Sequence, residues 1–261
     1  MTRKPLRPGG GPLFIGYAAP TDGLRRTMML GGLAAMAGAG LTGAAMAAFK
    51  MAPGPGVWDP GKVRTWRGLV VMDPYPMLRF VEADGSVRTA LLGCPDKCGA
   101  PLEVAEFAGR MVDVRGSAAT RGGHLMITAA APFGWITAAD GPAPPATPAA
   151  ETLGALTLEG ELMDAKCWLG AMRPGEGLTH KGCAELCVRS GLPLLFVTGG
   201  REAERRVFIA LGPDGERPET DILPWVADPV RVTGAVSRSA GWLQLRLAPG
   251  QVDRLRARGL S

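Results

Sequence analysis

The chain has 261 residues, is 46% hydrophobic and 20% charged, and carries a formal net charge of +5. So apolar a composition excludes a wholly disordered chain, and basic residues spread along the length argue against a nucleic-acid partner. Thirty-eight glycines and 23 prolines favour short elements joined by turns over a helical bundle.

Residues 1–26 form a basic arm with Arg3, Lys4, Arg7, Arg25 and Arg26, followed over 27–49 by a stretch without charge. At about 1.5 Å per helical residue that stretch spans a hydrocarbon core of about 30 Å. The positive-inside bias leaves the arm in the cytoplasm and the bulk of the chain on the periplasmic side of a bacterial inner membrane. Arg25-Arg26-Thr27-Met28-Met29 is also similar to a twin-arginine export signal, with Ala45-Met46-Ala47 as a cleavage site. The apolar run exceeds the roughly 7–15 residues of a signal core, which favours a retained anchor. Gly31, Gly32, Gly38, Gly40 and Gly43 let helix backbones approach closely in lipid, so other transmembrane subunits are the expected partners.

Beyond a linker at 50–64 the chain reads as two related halves, 65–139 and 153–250, joined by a Pro/Ala linker at 140–152 and followed by a tail at 251–261. TWRGLVVMD from Thr65 matches TLEGELMD from Thr157 with one residue fewer, and VRTALLGCPD (87–96) matches RVFIALGPDG (206–215). VDVRGSAATRGGHLMI (112–127) lies without gaps on VRVTGAVSRSAGWLQL (230–245), with Gly116 over Gly234. Short strands of alternating polarity ended by glycine turns resemble the closing hairpin of five-stranded OB-type barrels. The expected fold is mainly β: one N-terminal transmembrane helix, then two tandem OB-like barrels, the second with a short helical Cys/His insertion over 165–205.

Within that insertion Thr179 suits a helix N-cap and Gly191 a helix stop, predicting a helix over 180–190. His180, Cys183 and Cys187 then share one face, and Cys167 arrives from the preceding strand. One imidazole and three thiolates are the donor set of a tetrahedral zinc site; soft thiolates also suit copper, with Met163 and Met172 as extra thioether donors. In an oxidising compartment a disulfide from Cys167 to Cys183 or Cys187 is the competing reading, and thiol redox chemistry is a third. Cys94 and Cys98 flank a Pro95-Asp96 turn and predict a local disulfide, with a second soft-metal pair as the alternative. His124, over Trp242 in the repeat, suggests packing rather than ligation.

Cys167, Pro174, Gly175, His180, Cys183, Ala184 and Cys187 together resemble a group of exported bacterial proteins, largely uncharacterised, that carry a Cys, a Gly/Pro turn and a His-x-x-Cys-Ala-x-x-x-Cys helix on an OB-like domain. The resemblance implies a shared site and no particular activity. The absence of Cys-x-x-Cys-His excludes covalent c-type haem, and two histidines cannot make a three-His zinc centre. Neither a nucleophile elbow nor a phosphate loop is present, so catalytic residues are not expected. The expected function is a non-catalytic subunit of an inner-membrane electron-transport assembly. A periplasmic zinc or copper carrier is the alternative, and a thiol oxidoreductase follows.

Overall fold

The computed structural model describes residues 21–49 and 56–255. Arg3, Lys4 and Arg7 of the arm, residues 50–55 of the linker and residues 256–261 of the tail lie outside the described residues.

Helix α1 runs Asp22–Phe49, five residues earlier than the uncharged stretch, because Thr21 accepts the Leu24 N–H at 3.3 Å through its hydroxyl and Asp22 sits in the first turn. Over Asp22–Ala48 it is long and apolar enough to cross a membrane, a property an export signal shares.

The remaining described residues form a β-rich unit. The first half contains β1 (Val57–Trp58), β2 (Arg64–Val71), β3 (Met77–Val81), β4 (Val87–Gly93), β5 (Met111–Arg121), β6 (His124–Ala129) and β7 (Ile136–Ala138). The second contains β8 (Glu151–Asp164), helix α2 (Lys181–Arg189), β9 (Leu194–Thr198), β10 (Val207–Leu211), β11 (Pro229–Ser239) and β12 (Trp242–Arg254). In the first half β5, β2, β3, β4 and β6 pair in that order and β6 returns to β5; in the second β11, β8, β9, β10 and β12 do the same. Among the described strands, only β4 with β6 and β10 with β12 pair parallel. Each half is thus a closed five-stranded barrel of OB-like topology, and closure leaves the barrel without a free edge.

Alternation along the strands sorts side chains into three cores. Leu78, Phe80, Ala90, Leu92, Val112, Val114 and Ile127 fill the first barrel; Leu162, Phe196, Phe208, Ala210, Val230, Val232 and Leu245 fill the second. The third core lies between the barrels, where Met77, Leu91 and Met126 from one meet Leu195, Ile209 and Trp242 from the other.

Pairing corrects two of the sequence matches. Leu91 pairs with Met126 and Ile209 with Gln244, so Leu91 is the counterpart of Ile209, one residue away from the match read from the Leu-Gly endings. Only this register puts Ala90 and Phe208 inside their barrels and Leu91 and Ile209 in the shared core, since a one-residue slip reverses every side chain. Likewise Val70 pairs with Leu78 and Leu162 with Phe196, so β2 and β8 correspond without the missing residue that the two Met-Asp endings suggested. The gap-free hairpin match stands. A Cβ on Gly116 or Gly234 would strike the carbonyl of Thr128 or Arg246 at the same point of each barrel, and Gly68 and Gly160 are crowded in the same way.

The ends of the two hairpins meet at the junction. His124 stacks on its own repeat counterpart, Trp242, with ring centroids 4.5 Å apart, and Trp242 donates its indole N–H to the Thr89 carbonyl at 3.2 Å. Burial, reinforced by the Arg88 charge, lowers the His124 pKa to about 4. The folded protein keeps this imidazole neutral while the unfolded chain takes up a proton near the ordinary histidine value of 6.5. The stability it contributes is therefore present above pH 6.5 and lost as pH falls towards 4, a change of up to about 3 kcal/mol. His124→Gln should flatten the fall in melting temperature across that window; an unaltered slope would place the acid sensitivity elsewhere.

Candidate metal site

Strand β8 ends at Asp164, and its link to β9 occupies residues 165–193, whereas β2 reaches β3 through residues 72–76 alone. The longer link begins with a π-type turn over Cys167–Ala171, which Gly170 ends with a φ of +135°. Gly175 then passes so close to the Cys167 carbonyl that a Cβ there would collide with it. A 3₁₀ turn at Leu178–His180 leads into α2, which begins at Lys181 without the side-chain cap expected from Thr179. Instead Lys181 fastens the start of α2, donating to the carbonyls of Pro224 at 2.7 Å and Val226 at 2.9 Å. Gly191, at a φ of +92°, ends the helix as expected.

These turns gather the predicted donors. Cys167, His180 and Cys183 place their donor atoms within 4.8 Å of one another, as do Asp164, Cys167 and Cys187, so Cys167 is common to both groups. All three cysteines are free thiols, and the Cys167 and Cys183 sulfurs stand 3.9 Å apart. A tetrahedron built on Zn–S bonds of about 2.3 Å has an edge of about 3.8 Å, so this spacing fits a shared metal. A disulfide would require the sulfurs to close to about 2.05 Å.

His180 and Asp164 are buried with completely inaccessible side chains, and His180 Nε2 lies 2.9 Å from Asp164 Oδ2. The other carboxylate oxygen accepts the Cys167 N–H at 2.8 Å. With Asp164 as a carboxylate both oxygens accept, so Nε2 takes the donor role, and Nδ1 is buried without a hydrogen-bond partner. A buried imidazole oriented by a carboxylate, with its second nitrogen free, is how a metal-binding histidine is prepared.

Hydrogen bonding among the sulfurs divides their acidity. The Cys167 thiol holds Cys187 below the usual thiol range, and the same bond, together with burial, pushes Cys167 far above it. Burial raises Cys183. The neighbouring Cys183 raises the pKa of Lys97, which lies in the loop closed by the Cys94–Cys98 disulfide of the first barrel. Beside the cluster a pocket of about 480 Å³ is lined by Trp58, Lys97, Lys166, Cys167, Met172 and Cys187.

The cluster of Cys and His side chains can hold a metal ion. Met172, 43% exposed, stands at the pocket, whereas Met163 is buried in the core between the barrels. Three contributors had no clear signature in the sequence: Asp164, because an acid at a strand end is common; and Lys97 and Lys166, because their positions depend on the first barrel docking against the second.

The class defined by this fold and site is a tandem pair of OB-like barrels with a Cys/His cluster at their junction. No protein-family model and no curated protein matches the chain. Among solved structures it is similar to a deletion mutant of the single-stranded DNA binding protein from Thermus aquaticus. That match has 12% identity over 80% of this chain and 91% of the other, with a TM-score of 0.21, too low to carry an argument.

Proposed function

We propose that this chain is a non-catalytic, single-pass subunit of a bacterial inner-membrane complex of the electron-transport kind, with a structural zinc site in its periplasmic barrels. The donor set carries the metal reading: three thiols and an imidazole nitrogen without a partner, in two groups that share Cys167. Four protein donors close a tetrahedral zinc ion off from substrate, which suits a structural role. The apolar α1, with its six glycines, supports docking among partner helices. On this reading, the link at 165–193 is a short helical insertion that the second barrel adds to the repeat. Zinc binding there ties β8 to α2.

Copper carriage is the second reading, favoured by Met172, which lines the same pocket as Cys167 and Cys187. Elemental analysis with thiol counting on protein extracted in mild detergent decides between them. Co-purifying membrane subunits and one zinc per chain are expected. A lone chain carrying copper would transfer the assignment to a carrier, and a metal-free chain with a single free thiol would establish the disulfide staple.

A further inference from the structure

The loop from Cys94 to Gly99 belongs to the first barrel, yet it is fastened to both segments that supply the metal donors. On one side the buried Lys166 ammonium, adjacent in sequence to Cys167, donates to the carbonyls of Cys94 at 3.0 Å, Pro95 at 2.5 Å and Asp96 at 2.7 Å. On the other, the Gly99 N–H donates to the Ser190 carbonyl at 3.0 Å, just beyond α2. The approach is so close that a Cβ on Gly99 would meet the Gly191 carbonyl oxygen at 2.5 Å. Pro95, Asp96 and Lys97 also wall the pocket that gives onto Cys167 and Cys187.

The covalent link that holds this loop in its turn is the Cys94–Cys98 disulfide. Resting on the metal reading above, we propose that this disulfide is a redox latch on the metal centre. In the oxidised protein the closed loop covers the donors; in the reduced protein it loosens and the metal exchanges. A dithiol reductant performs the opening. Its two thiols give up two electrons and two protons, the Cys94–Cys98 bond breaks, each sulfur becomes a thiol, and the reductant leaves as its own disulfide. The metal ligands undergo no redox change. Regulation acts on the rate of exchange, because none of the four donors lies in the loop.

The test is release of zinc from the full-length, detergent-solubilised protein to a chromogenic chelator, comparing wild type with Cys94→Ser/Cys98→Ser. The expected result is one zinc per chain in both, with release faster by about tenfold or more in the double variant. Equal release rates would overturn the latch. If the double variant shows no thermal unfolding transition, the same comparison is made on wild-type protein before and after reduction by a dithiol that is then removed; equal rates there overturn it too. A wild-type protein that takes up no zinc overturns the metal reading itself, an outcome distinct from a bound zinc whose release ignores the disulfide.

Discussion

Asp164→Asn is expected to lower zinc affinity by about 10- to 100-fold while leaving the barrels folded. The carboxylate accepts on both oxygens, from His180 Nε2–H and from the Cys167 N–H. An amide of the same shape offers one acceptor and one donor. If its NH2 faces Nε2, the imidazole proton moves to Nδ1 and occupies the lone pair the metal needs. If its NH2 faces the Cys167 N–H instead, two buried donors confront each other at the base of the Cys167 turn. Either arrangement damages the site without removing a ligand. Competition titration against a chelator measures the affinity, and the ¹⁵N shifts of the His180 ring report the tautomer, which a merely structural role for Asp164 would leave unchanged. Wild-type affinity together with an Nε2-protonated ring would sink this assignment.

Arg121→Ala should lower the melting temperature by about 5–10 °C, corresponding to roughly 2–3 kcal/mol for a unit of this size. Arg121 ends β5 in the first barrel with a side chain only 2% exposed, and it makes a two-pronged pair with Glu202 of the second barrel at 2.8 Å and 2.8 Å. It also reaches Glu176 at 3.3 Å and the Trp168 carbonyl at 3.2 Å, and its guanidinium lies 4.5 Å from the centre of the Trp168 ring. Removing it takes the donor from the buried Trp168 carbonyl, whereas Glu176 keeps Arg205 at 2.7 Å and Glu202, 38% exposed, can recover water, which limits the loss. Arg121→Lys should recover only part of it, because an ammonium cannot reproduce the planar fork. A melting temperature within about 1 °C of wild type for Arg121→Ala would show that the apolar core alone holds the barrels together.

How much of this was legible beforehand differs by element. The repeat was readable because glycine is required wherever two barrel strands cross too closely for a Cβ, which marks Gly68, Gly116, Gly160 and Gly234 at matching places. Register in β4 and β10 was not readable from Leu-Gly endings, because only pairing decides which alternate residues face inward. Cys94 and Cys98 were a recognisable pair because four residues around a Pro-Asp turn bring their sulfurs together locally, and the structure contains that disulfide. The grouping of Cys167, His180 and Cys183 followed from helical spacing plus one strand end. Asp164 carries no signal in the sequence because its role depends on where the His180 ring turns.

The sequence by itself determined an apolar N-terminal helix, two β-rich halves of one pattern, a local disulfide and a set of metal-type donors, since periodicity, glycine placement and short-range spacing are properties of the chain. Tertiary structure alone decided that the outward faces of the barrels share a core, that His124 meets its own counterpart Trp242, and that the Cys94–Cys98 loop lines a pocket together with thiols belonging to the other barrel. Those are contacts between residues some 70–150 positions apart. No local pattern encodes them, because the surface a strand presents to its neighbour exists only once each barrel has closed.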